Sequence, residues 1–87
     1  MRVTVIPSDR AIGIDGQFLF LDYTADSNIH AIQWYDDHGE MEFEDHRPNR
    51  KLTENDYTAE VKPYVDAYGE ALEALEAESA EESIITE

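Results

Sequence analysis

Eighty-seven residues at 10.0 kDa, 41% of them hydrophobic and 10% aromatic, make one small domain with a limited core and leave no room for a second. Twenty-one acidic residues against six basic ones give a formal charge of -15, which excludes binding of DNA, RNA or an anionic membrane through a basic surface and points to a basic partner. The absence of cysteine excludes a disulfide framework and a thiolate metal cage, so stability must come from packing.

In chain order, Met1–Ile6 alternates and is β-branched, and Pro7-Ser8-Asp9 stops it, so a first strand is expected there. Ala11-Ile12-Gly13-Ile14 and Gln17-Phe18-Leu19-Phe20-Leu21 flank Asp15-Gly16, a pair whose ready access to positive φ makes it a strong hairpin signal. The second arm of that hairpin is apolar on both faces, which predicts cover on each side, from the chain itself or from a partner. Asp22–Asn28 is a polar connection.

Ile29–Tyr35 and Glu40–Glu44 predict another hairpin around Asp36-Asp37-His38-Gly39. A four-residue loop would set Tyr35 opposite Glu40, Trp34 opposite Met41 and Ile32 opposite Phe43, giving one apolar face. A slip by one residue would mix carboxylates into that face. The other face then carries Gln33 and Tyr35 with Glu40, Glu42 and Glu44. Trp34, Phe43, Phe18 and Phe20 are expected in the core.

His46, Arg47, Arg50 and Lys51 around Pro48-Asn49 form the one locally basic segment, expected as an exposed loop over 46–52. Tyr57, Val61, Tyr64, Tyr68, Leu72 and Leu75 then recur at helical spacing, predicting a helix over 53–80, with Thr53 and Asp56 as a capping-box variant. Pro63 requires either a short turn before a helix beginning near Lys62 or a kink in one helix. A frayed acidic tail is expected over 81–87. The fold class is therefore α+β, one domain over 1–87 with an antiparallel sheet of about five strands in residues 1–45 and one C-terminal helix across it.

No constellation predicts catalysis. The serines Ser8, Ser27, Ser79 and Ser83 lie in turns or the tail, and no Gly-rich loop leads from strand to helix. His30 at the core edge, His38 at a hairpin tip and His46 in a loop match no compact ligand spacing, so neither metal nor cofactor is expected. Charge is more informative. After Lys62 no lysine or arginine occurs, while Glu70, Glu73 and Glu76 fall on successive turns as a negative flank beside the apolar stripe. Together with Glu40, Glu42, Glu44 and Tyr35, they are the candidate partner-binding residues.

Ile29-His30-Ala31-Ile32-Gln33-Trp34-Tyr35 with Gly39-Glu40-Met41-Glu42-Phe43 resembles the small phage tail assembly chaperone type of protein encoded among the tail genes of tailed bacteriophages. Val3-Thr4-Val5-Ile6-Pro7-Ser8-Asp9 with Ile14-Asp15-Gly16, and Tyr64-Val65-Asp66-Ala67-Tyr68, look similar too, so the resemblance covers most of residues 1–75. It implies a β-rich head and a helical tail that bind tail or fibre components, without a cofactor. The expected function is thus non-enzymatic binding of a phage tail or fibre protein. The alternative is an acidic inhibitor that imitates nucleic acid in the basic groove of a host defence or DNA-binding protein. No apolar run approaches the roughly 20 residues that cross a bilayer, and Met1-Arg2-Val3-Thr4 lacks a signal peptide's apolar stretch. The expected location is the cytoplasm of the infected bacterial host or the virion, with no membrane partner and no direct contact to nucleic acid.

Overall fold

A computed structural model describes residues 1–85, with side chains as far as Glu78. The fold is α+β. Six antiparallel strands run in the order β3-β2-β1-β4-β5-β6, with β1 Arg2–Ile6, β2 Ala11–Ile14, β3 Gln17–Phe20, β4 Ile29–Tyr35, β5 His38–Phe43 and β6 Arg50–Leu52. A short helix α1, Tyr57–Glu60, and a long one, α2, Lys62–Ile85, cover one face of this sheet.

The β2–β3 turn has the expected form. Asp15 and Gly16 both take positive φ, 49° and 87°, between the paired residues Ile14 and Gln17. Beyond Ile6, Pro7–Asp9 makes one 3-10 turn that Arg10 closes at φ 53°. The covered face gathers Val3, Val5, Ile12, Ile32, Trp34, Met41 and Leu52, all nearly or fully buried, under Val61 and Tyr68.

The β4–β5 hairpin differs from the expected register by two residues: Tyr35 pairs with His38, Trp34 with Gly39 and Ile32 with Met41. The loop is Asp36-Asp37, with Asp36 at φ 53°. Because the displacement is even, the side chains of Ala31–Tyr35 and Glu40–Phe43 keep their expected faces. Gly39 explains the choice. A Cβ there would lie 2.3 Å from the Gln33 carbonyl oxygen and 3.0 Å from the Trp34 Cα, so this glycine permits close approach inside a strand rather than a turn.

Three further expectations are corrected. Five strands lie within residues 1–45 as expected, but Arg50–Leu52, expected in the basic loop, pairs with β5 as a sixth. Leu52 is the reason, 2% exposed beside Gly39, but three residues are too few to show an alternation. Phe18 and Phe20 are not core. Leu19 shares the helix-covered face with Ile12, which turns both phenylalanines to the open face, 47% and 76% exposed. His30 is not at the core edge. It is the extra residue of a β-bulge between Ile29 and Ala31, exposed and beside Glu44.

The helical segment begins as the first of the two alternatives. The Asp56 carboxylate accepts hydrogen bonds from the Thr53 N–H at 2.8 Å and the Thr53 hydroxyl at 3.2 Å, opening a 3-10 turn that runs into α1. Val61 separates α1 from α2, and Pro63 falls in the first turn of α2, where its missing N–H breaks no helical bond. The acidic end expected over 81–87 lies outside the described side chains.

Candidate interaction surfaces

Cross-strand pairing determines which side chains share the open face. One row runs Phe18, Gly13, Thr4, Gln33, Glu40, Lys51 from edge to edge, and the adjacent row brings Arg2, Tyr35 and His38 together. Thr4 donates to the Gln33 side-chain oxygen at 3.1 Å, while the Arg2 guanidinium stands 5.4 Å from the Tyr35 ring centroid and the His38 ring stacks on its other side at 5.6 Å. The face thus grades from apolar at β3, where the Phe18 ring lies over Gly13, to charged at β5 and β6.

Of the expected partner-binding residues, Tyr35, Glu40 and Glu42 share this face. Glu44 lies past the end of β5, where its carboxylate meets His30 Nδ1 at 3.1 Å. That hydrogen bond raises the His30 pKa above the usual imidazole value, and the Glu44 and Glu42 charges add to it. Glu70, Glu73 and Glu76 are exposed on α2, past Tyr68. At about 100° per residue they spiral around the helix rather than forming one flank, so Glu70 is on the back and only Glu76 borders Leu72 and Leu75.

The ion pairs show where charge is unopposed. Asp22 takes Arg10 at 2.5 Å, Asp45 takes Arg47, Asp56 and Glu60 take Arg50 at 3.0 and 3.4 Å, and Asp66 takes Lys62 at 2.9 Å. Among the described residues, Glu40, Glu42, Glu70, Glu73 and Glu76 have no ion pair. The basic segment is therefore largely neutralised by its own neighbours.

The helix-covered side is held by tyrosines. Tyr23 packs edge-on against Tyr64, centroids 5.7 Å apart, and donates to the Ala11 carbonyl at 3.0 Å. Burial pushes the Tyr23 phenol up to about 12, with Tyr64 and Asp9 adding to it. Trp34 meets Tyr57 at 5.3 Å, and the Tyr68 hydroxyl donates to the Gln17 carbonyl at 3.1 Å. Beyond Tyr68, α2 outruns its support, and Leu72 and Leu75 are 36% and 47% exposed.

A concavity of about 690 Å³ lies between Thr24–Asp26, Phe43 and Tyr64 and is rimmed by Arg47 and Arg50. Arg47 lies over the Phe43 ring at 4.6 Å. Sequence reasoning missed this cleft because its walls come from four separate segments. It also missed the Arg2–Tyr35–His38 stack, which only the two-residue hairpin loop brings into line. Among the described residues no cluster of three or more His, Asp or Glu side chains could hold a metal ion, and no helix is long and apolar enough to cross a membrane. No protein-family model, curated protein or solved structure matches the chain.

Proposed function

We propose that the chain is a non-enzymatic, phage-encoded binding protein that acts on a tail or tail-fibre protein during assembly, in the cytoplasm of the infected host or at the virion. The resemblance over residues 1–75 supplies the phage context. The observation that carries the binding role is a pair of carboxylates that make no ion pair among the described residues, Glu40 and Glu42 beside Tyr35 on an uncovered sheet face. Such a face suits a partner presenting Lys or Arg around an apolar or aromatic contact. Co-purification from infected cells tests it: recovery of a tail or fibre protein is the expected result, and recovery of host proteins alone overturns it.

The nucleic-acid-mimic alternative asks for a continuous row of charge, about one per 1.7 Å of duplex axis. Glu40 and Glu42 stand on the open face of β5, whereas Glu70, Glu73 and Glu76 follow Tyr68 on the part of α2 that outruns the sheet, so the two sets do not make one continuous row. Competition with DNA and a steep loss of affinity with salt would favour the mimic over the assembly role.

A further inference from the structure

We propose that β3 is the interface of a homodimer, in which two copies pair their β3 strands antiparallel about a two-fold axis through Leu19. The Leu21 N–H donates to the Arg10 carbonyl at 3.0 Å. Hydrogen-bonded pairs alternate along an antiparallel ladder, so Leu19 and Gln17 also bond toward β2, and the N–H and C=O groups of Phe18 and Phe20 point away from the sheet. A two-fold through Leu19 sets Phe18 opposite Phe20 of the second copy, and these outward groups then satisfy one another.

The side chains favour a second copy over a charged partner. From Gln17 to Phe20 the strand carries no charge, whereas the opposite edge carries Arg50 and Lys51. In the two-fold register Asp22 meets Gly16 and Asp15 meets Tyr23 of the second copy, so no carboxylates are directly opposed along the seam. Leu19 meets its own copy on the helix side, and the four phenylalanines form one patch on the open side. Taking about 200 Å² for a whole phenylalanine, Phe18 and Phe20 at 47% and 76% exposure offer about 250 Å² per chain. A standard interface takes about 800 Å² from each partner, so edge backbone and neighbouring side chains must supply the rest and the dimer is weak. Each copy carries a charge of -15, and screening that repulsion strengthens association.

Sedimentation of the full chain from about 1 µM to about 1 mM tests this at low and high salt. The expected result is a concentration-dependent doubling of mass that salt favours, with the Phe18 and Phe20 amides protected from exchange only in the dimer. Phe20→Lys, at a site 76% exposed, should keep the circular dichroism and melting curve of the monomer and weaken the dimer at least about tenfold. Lys51→Ala on the other edge should leave it unchanged. A monomer at every concentration, open-ended association, a dimer indifferent to Phe20→Lys, or unprotected edge amides in the dimer would each overturn the proposal.

Discussion

The sheet ends on β3 at one side and on β6 at the other, and both are anchored from the helix side, β3 by Leu19 and the Tyr68–Gln17 hydrogen bond, β6 by buried Leu52. They part company in the charge they carry. β6 carries Arg50, tied to Asp56 and Glu60 at the start of the helical segment, and Lys51 beside Glu40. β3 carries two exposed phenylalanines and an uncharged backbone edge. The same six-stranded sheet therefore discourages strand addition on one side through charge and leaves it open on the other. Edge protection here is a property of individual strands, even in a chain this acidic.

Removing side chains across the sheet sharpens this contrast. Trp34, midway between the edges and 2% exposed, sets the ceiling: Trp34→Ala should cost about 3–5 kcal/mol in chemical denaturation, because the cavity lies under Tyr57 and beside Gly39. Leu52→Ala at the β6 edge should cost about 2–5 kcal/mol. Phe20→Ser at the β3 edge should leave monomer stability within about 0.5 kcal/mol, despite removing a larger side chain. Equal losses at Leu52 and Phe20 would show that the edges do not differ as described.

Acid should distinguish them next. Hydrogen bonds from the Thr53 backbone, then its hydroxyl and the nearby Arg50, hold the Asp56 pKa below its ordinary value. A depressed carboxylate stabilises the fold above its unfolded pKa, about 4, and that contribution is lost as pH falls through the folded value. Amide protection should therefore be lost around Arg50–Leu52 at acid pH before it is lost at Leu19, whose N–H bonds toward β2. His30 has the opposite sign. Its raised pKa makes the Glu44 contact fully stabilising below about pH 6.5, and the contribution fades as pH rises through the folded value.

The smallest expected effect concerns the acidic face. Glu40→Gln with Glu42→Gln should change stability by only tenths of a kcal/mol while weakening a basic partner. Adding Glu44→Gln should matter to folding only where His30 is protonated, since Glu44 belongs to that contact rather than to the strand face. A double variant that binds every partner as before would return Glu40 and Glu42 to an ordinary solvated surface.

The sequence was most legible where one local rule decided the outcome. Asp15-Gly16 specified its turn, Pro7 ended β1, and Thr53 with Asp56 opened the helical segment. The pattern of apolar residues also assigned faces correctly over Ala31–Tyr35 and Glu40–Phe43, because period-two alternation survives an even error in register, and failed only at the Ile29–His30 bulge. What escaped were features fixed by contacts distant in sequence. Gly39 resembled a loop glycine until the backbone opposite it was known, and Arg50–Leu52 looked basic because Leu52 alone of the three is buried. Hydrophobicity placed Phe18 and Phe20 in the core, whereas the sheet has a covering layer on one side only.

The close fit of Phe18 over Gly13 has a further consequence. A Cβ on Gly13 would come within 2.7 Å of that ring, so the aromatic occupies space that any other residue would fill. Ordering a flexible side chain at an interface costs about 0.5–1.5 kcal/mol of rotamer entropy. Phe18 has given up much of that freedom in folding, whereas Phe20, 76% exposed, keeps more of it. In the proposed dimer, contact with Phe18 would therefore demand less ordering, and the glycine beneath it would act on association without ever touching the second copy.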